Sequence, residues 1–282
     1  MSPHDAHADA GNAKRPQATA SNLVTGIRGS SVPDDPRFGY ALHLGDNALV
    51  LAQRLGEWVG HAPELEEDLA FANIALDLIG QARYLFSYAA QLEGRGRSED
   101  DLAFRRDPGD FMNLNLVEQP NRDFGYTIVR QFLFAAWQLE LFQCLQTSRE
   151  TRLAELAAKA LKETRYHWRF SAGWLVRLGD GTQESHRRVQ GALDDLWRFT
   201  HELFTPGDID QAATHAELAP NVATLRTPWL ARVEPVLQEG TLIRPADVTH
   251  AWHGKQGRHS EHLGHLLVGM QYLQRTYPGA QW

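Results

Sequence analysis

The stretch LAFANIALDLIGQARYLFSYAA, residues 69–90, constrains the fold more than any other part of this chain. Its apolar residues fall on nearly every side of a helix, so the helix is expected to be buried on most sides. Asn73, Asp77, Gln81 and Arg83 interrupt it, which excludes a membrane span. Pro63 stops the preceding chain, and Glu64, Glu66, Glu67 and Asp68 crowd the helix N-terminus, where the dipole favours acidic groups. The helix is expected to run to about Glu93.

Its neighbours follow from the same periodicity. Leu42, Leu44, Ala48, Leu51, Ala52, Leu55 and Val59 recur at helical spacing from Phe38 onward, giving a first helix that ends near Gly60. A third spans about Asp123 to Gln146. Thr147 and Glu150 then stand at capping-box spacing, and a fourth runs to about Leu178, ended by GDG (179–181). Helices one and two are joined tightly, and so are three and four. Between the pairs lies a crossover, about 95 to 120, carrying DPGD (107–110) and EQPN (118–121). An all-α, ferritin-like four-helix bundle with one long crossover has this order of connections. Additional C-terminal helices are expected near 183–204, near 208–216, from Pro228, and near 259–276. LVTGIRG (23–29) and LIRP (242–245) are candidates for brief extended pieces.

Composition bounds the function. Of the 282 residues, 43% are hydrophobic and 22% charged, enough apolar material for one large core in residues 37–282. Residues 1–36 are rich in Ala, Ser, Asp, Pro and Gly without periodicity, and are expected to be disordered. They contain no apolar h-region, so the expected location is cytoplasmic. A net charge of -7 with no long Lys/Arg run argues against nucleic acid and anionic membranes as partners. The one cysteine, Cys144, lies in an apolar helical pattern and is expected to be buried.

A metal in the bundle would need ligands on facing helices. Glu-x-x-His pairs place two ligands on one helical face, and none of the thirteen histidines has a Glu three positions before it. The nearest form is Asp247–His250. Glu163 and His167, four apart in KETRYHWR (162–169), still share a face, as do Asp77 and Gln81. A metal reading therefore takes Glu163, His167 and Asp77, with Glu140 from helix three. Helix one supplies only Asp46 and Glu57 near its ends, and Gln81 stands where a His would be useful. A neutral amide is a poor iron ligand and cannot offset the ion's charge. Buried hydrogen bonding is the alternative role for these groups.

Several strings in order resemble the C subunits of the ring-1,2-phenylacetyl-CoA epoxidases, bacterial multicomponent monooxygenases of aerobic phenylacetate catabolism. They are LGDNALVLAQRLGEW (44–58), LEEDLAFANIALDLIGQAR (65–83), LVEQPN (116–121), LKETRYHWRFSAGWLVRLGDGT (161–182), LWRFTHELF (196–204) and HSEHLGHLL with MQYLQRTYPGAQW (259–282). The resemblance covers about Tyr40 to Trp282. It implies a ferritin-like, structural subunit without catalytic residues or a metal of its own. Such a subunit pairs with a homologous catalytic A subunit that holds two irons. A small B subunit and a reductase with flavin and an iron–sulfur cluster make up the rest of the complex. It uses NADPH and O2 to insert one oxygen atom into the ring of phenylacetyl-CoA.

The same resemblance gives a register. Where the catalytic homologue has Asp-Glu-Ala-Gly-His, this chain has DLIGQ (77–81), so Leu78 replaces a ligand Glu and Gln81 a ligand His. Where it has Lys-Glu-Glu-x-Phe-His, this chain has KETRYH (162–167), so Thr164 replaces a ligand Glu and His167 remains. Carried without gaps, the other two carboxylate positions fall near Ala48 and Ala135. The expectation is an emptied site at Ala48, Leu78, Gln81, Ala135, Thr164 and His167, with His167 neutral and bonded to a neighbour such as Thr164.

Other features offer rival sites. His250, His253, His259, Glu261, His262 and His265 cluster near the C-terminus, and His259, His262 and His265 step by three, as a zinc or nickel site would. Helix packing is the alternative for them. GRGRS (94–98) and FRR (104–106) are expected as solvated loop, with the phosphates of a CoA ester as the rival reading. Trp58, Trp137, Trp168 and Trp174 are core candidates. The reading is a non-catalytic subunit; the alternative is a di-iron carboxylate oxygenase in its own right.

Overall fold

The computed structural model describes residues 34–248, 252–278 and 280. The N-terminal stretch, LVTGIRG and His250 fall outside the described residues. The chain is all-α: among the described residues the one β-type contact is an isolated bridge between His253 and Arg258, so LIRP forms no strand.

Helices α1 (Pro36–Gly56) and α2 (Leu65–Glu93) form one antiparallel hairpin, and α4 (Phe124–Leu145) and α5 (Thr151–Gly179) form the other. α2 packs on α5, which closes the bundle. α1 begins two residues before the expected Phe38, because Asp35 caps it and Pro36 is already in register for a first turn. It also stops early: residues 57–61 turn away, and Val59 is exposed instead of joining the apolar face. Glu150, whose side chain accepts from Arg152 N, caps α5. Thr147 bonds back to Cys144 O, so the expected capping box does not form. α4 is the central element, buried from Gly125 through Phe142. Cys144 lies on its last turn and is exposed, contrary to expectation. Leu145 on the same turn is buried in the core, so the turn is covered on one side only and Cys144 lies on the other.

The crossover is not a plain loop. α3 (Glu99–Phe104) forms on a Ser98–Asp101 capping box, and residues 111–119 then run through the interior. A buried irregular segment must have its backbone groups met by side chains. α1 supplies most of them from one face. Asp46 accepts Met112 N at 2.9 Å and Asn47 accepts Leu114 N at 2.9 Å. His43 Nδ1–H donates to Met112 O at 2.7 Å, and burial holds this ring below the ordinary histidine range, in the neutral form. Arg54 donates to Glu118 O at 2.9 Å. Arg130 on α4 donates to Gln119 O.

The C-terminal part wraps these elements. The expected helix over 183–204 divides into α6 (Gln183–Trp197) and α7 (Thr200–Phe204). α8 (Asp208–His215) packs on α1, α9 (Arg226–Glu239) on α4 and α5, and α10 (Glu261–Thr276) on α1 and α3. Gly179 is required where the end of α5 meets the end of α9, since a Cβ there would lie 2.2 Å from Gly240 O. No helix among the described residues is long and apolar enough to cross a membrane.

α2 departs from the expectation of near-complete burial. Leu65, Leu69, Leu76 and Ile79 are 68%, 54%, 64% and 40% exposed. They follow one side of the helix, and Tyr166 of α5, next to His167, is also exposed, at 41%.

Candidate functional site

All six positions of the expected emptied site are buried, on the four long helices. Ala48 comes from α1, Leu78 and Gln81 from α2, Ala135 from α4, and Thr164 and His167 from α5. Ala48, Leu78 and Ala135 contribute only apolar contact. The polar members are drawn towards the α2–α5 seam. His167 has no exposed surface, and its Nε2 lies 3.0 Å from Asp77 Oδ2, whose side chain is 37% exposed. One turn away, Gln81 Nε2 donates to Glu163 Oε2 at 3.1 Å, and Gln138 of α4 reaches Gln81 Oε1 at 3.5 Å. Lys159 lies 3.9 Å from Glu163 on its outer side.

This corrects the expected partner of His167. Thr164 Oγ1 is buried with no hydrogen-bond partner, and so is His167 Nδ1. The ring is held from α2, not from its own helix.

The rival metal constellation is not assembled. Asp77 and His167 meet, and Glu163 lies near them through Gln81, but Glu140 is committed to Arg232 of α9 at 2.6 Å. Among the described residues no group of three His, Cys, Asp or Glu is arranged to hold a metal ion. An iron pair of the kind carried by carboxylate bundles needs several carboxylates around two histidines. The six positions offer one imidazole, one amide and one hydroxyl, and do not fit that group.

Among the described residues the C-terminal histidines do not form a site either. His259 precedes α10 instead of stepping along it, and both of its ring nitrogens are used. Nδ1 lies 2.8 Å from Glu118 Oε2 and Nε2 lies 2.8 Å from Phe111 O. Both partners are acceptors, so both nitrogens carry protons and the ring is an imidazolium. Burial alone would lower its pKa, but the Glu118 carboxylate and the Phe111 carbonyl outweigh that and raise it. Burial likewise pushes Glu118 up, but His259, Ser260 N and Asn115 outweigh it and hold the carboxyl below its ordinary range. Asn113 also donates to Glu118, at 3.1 Å.

Two further buried ionic groups escaped the sequence reading. Arg106 of the FRR string is not solvated: it is buried against Asp46, donates to Leu102 O at 2.5 Å, and lies over the Phe111 ring at 4.1 Å. Glu202 accepts Asn115 N and Gly254 N, each at 2.7 Å, and burial pushes its pKa up to about 7. Only the charge of these residues was visible in the sequence; their partners lie far along the chain. The other arginines of the two strings follow the expectation more closely. Arg105 pairs with Asp101 near the surface, while the half-buried Arg97 pairs with a Glu93 side chain that is itself buried. Of the tryptophans, Trp137 is fully buried, while Trp58, Trp168 and Trp174 pack against the core from partly exposed positions.

Two antiparallel helix pairs, one long crossover and a core of apolar and neutral groups at the central positions define a ferritin-like bundle with added C-terminal helices. The comparisons agree on its relatives. Residues 30–282 match the family described as phenylacetic acid catabolic protein, and the chain belongs to that family. It is 56% identical over 243 residues to the C subunit of 1,2-phenylacetyl-CoA epoxidase from Escherichia coli (strain K12). That alignment covers 86% of this chain and 98% of the relative.

Proposed function

We propose that this chain is the structural, non-catalytic subunit of a phenylacetyl-CoA 1,2-epoxidase. In this role it pairs with and stabilises a homologous subunit that holds the irons and performs the chemistry with NADPH and O2. Identity of 56% to the C subunit of that enzyme supports the assignment to the complex. The observation that carries the non-catalytic role is the packing of Ala48, Leu78, Ala135 and Thr164, all buried, at positions where the resemblance places ligand carboxylates. Uncompensated carboxylates there would cost several kcal/mol each, and these side chains remove that cost.

Pairing is supported by α2. A helix with this many apolar residues is expected to be covered, yet Leu65, Leu69, Leu76 and Ile79 are not covered within the chain. A second helical bundle laid along α2 and α5 would cover them and Tyr166, in the manner of an obligate interface. The His167–Asp77 and Gln81–Glu163 contacts tie α2 to α5 beside that face.

Co-expression tests the reading. With this chain present, the iron-bearing homologue is expected to be soluble and the complex active; without it, solubility or activity is lost. Iron analysis of the isolated chain is expected to find none. Full activity of the complex in its absence, or two tightly held irons per isolated chain, overturns the proposal.

A further inference from the structure

The outer side of KETRYHWR carries a feature that the structural role leaves unused. Lys162, Arg165 and Arg169 stand three and four residues apart, so they share one exposed face of α5. None of the three has an ion-pair or hydrogen-bond partner among the described residues. Like charges at this spacing repel along a helix and gain nothing for the isolated fold. Together with Arg232 of α9 they line an open-sided pocket of about 380 Å³. Roughly 300 Å³ is the lower end of the range for small-molecule sites.

The rest of the pocket suits an anion on an apolar base. Leu139 and the Trp168 ring form its floor, and Gln143 adds an amide. Arg232 lies over the Trp168 ring at 5.3 Å and is neutralised by Glu140 at 2.6 Å. Three positive charges therefore remain uncompensated, on a chain whose formal net charge is -7. Two guanidinium forks and an ammonium lining one concave site supply the charge and the donors that phosphate oxygens accept.

We infer that this pocket binds a phosphate-bearing small molecule, held by Lys162, Arg165 and Arg169 over the Leu139–Trp168 floor. The shared chemistry is a pyrophosphate or phosphate ester. A free polyphosphate and the phosphate arm of coenzyme A both carry it. The inference uses only residues of this chain and concerns the isolated chain.

Calorimetric titration of the full-length chain tests it, with inorganic pyrophosphate in one arm and free coenzyme A in the other. Saturable one-to-one binding is expected at low ionic strength, weakening as salt is added. In the double variant Arg165→Gln, Arg169→Gln the affinity should fall at least about tenfold. The control Arg187→Gln, Arg188→Gln removes the same charge from exposed positions on α6 and should bind as the parent does. Tighter binding of coenzyme A than of pyrophosphate assigns the nucleotide arm; equal binding assigns the phosphates alone. Circular dichroism checks that both variants fold. Three results overturn the proposal: no saturable binding by about 5 mM of either probe, equal loss in the control, or binding of a short poly-glutamate peptide alone.

Discussion

Glu118 and His259 lie 141 positions apart in the chain and 2.8 Å apart in the fold. Their contact joins the buried crossover to the segment that opens α10. Ser260 N donates to the same carboxylate at 2.7 Å, so one side chain anchors the C-terminal layer by charge and by backbone. Replacing His259 with Ala leaves Glu118 charged and buried. A loss of about 3–5 kcal/mol is expected in urea unfolding. His259→Gln, which keeps a donor, should lose less.

The same pair sets a pH dependence. His259 has a raised pKa in the fold, so its contribution is complete below the ordinary histidine value of 6.5 and is lost as pH rises through the folded value. Glu118 is depressed, so its contribution is present above the ordinary value of 4.5 and is lost as pH falls through the folded value. The pair is fully stabilising between those two ordinary values. Urea midpoints measured from pH 6 to pH 9 should decline more steeply in the parent chain than in His259→Gln. Parallel curves would show that the ring is not charged in the fold.

Asp46 and Arg106 form a second buried ion pair, with the guanidinium also against the Phe111 ring. Asp46→Leu alone strands a buried cation and is expected to cost about 3–5 kcal/mol, as is Arg106→Met alone for the stranded carboxylate. The double variant should recover part of that loss, because no unpaired charge remains. A double-mutant cycle by chemical denaturation measures the coupling. Met112 N, which also bonds to Asp46, limits the recovery.

At the centre of the bundle, Leu78→Glu restores one carboxylate of the expected ancestral pattern without its companions. A buried, unpaired carboxylate should destabilise the chain by several kcal/mol, whereas Leu78→Met should cost less than about 1.5 kcal/mol. Equal stability of the two variants would mean that position 78 is open to solvent or to a cation.

On the exposed side of α2, Leu69→Glu with Leu76→Glu should leave the isolated chain folded and as stable as the parent within about 0.5 kcal/mol. Capture of the iron-bearing homologue in a pull-down should weaken by about 100-fold or more. Unchanged capture would place the partner on another face.

Local pattern carried much of the architecture. The four long helices, their two tight pairings and the long crossover were legible because helical periodicity, acidic N-termini and turn residues act over a few positions. Misreadings clustered where the deciding neighbour is remote. Cys144 follows the apolar pattern of α4 but lies on the uncovered side of its last turn, while Leu145 takes the covered side. Val59 fits the register of α1 but lies past its end. Arg106 reads as a loop cation until Asp46, 60 positions away, is brought against it.

That Ala48, Leu78, Ala135 and Thr164 carry no carboxylate was legible in the sequence, and their proposed correspondence to ligand positions rests on the resemblance. Which polar groups bond one another at the centre was decided only by tertiary structure. His167 could bond to its own helix or to another, and the answer, Asp77, depends on α2 lying across α5. Side-chain chemistry is a property of the residue, but a partner is a property of position in space, and burial makes that position energetically decisive.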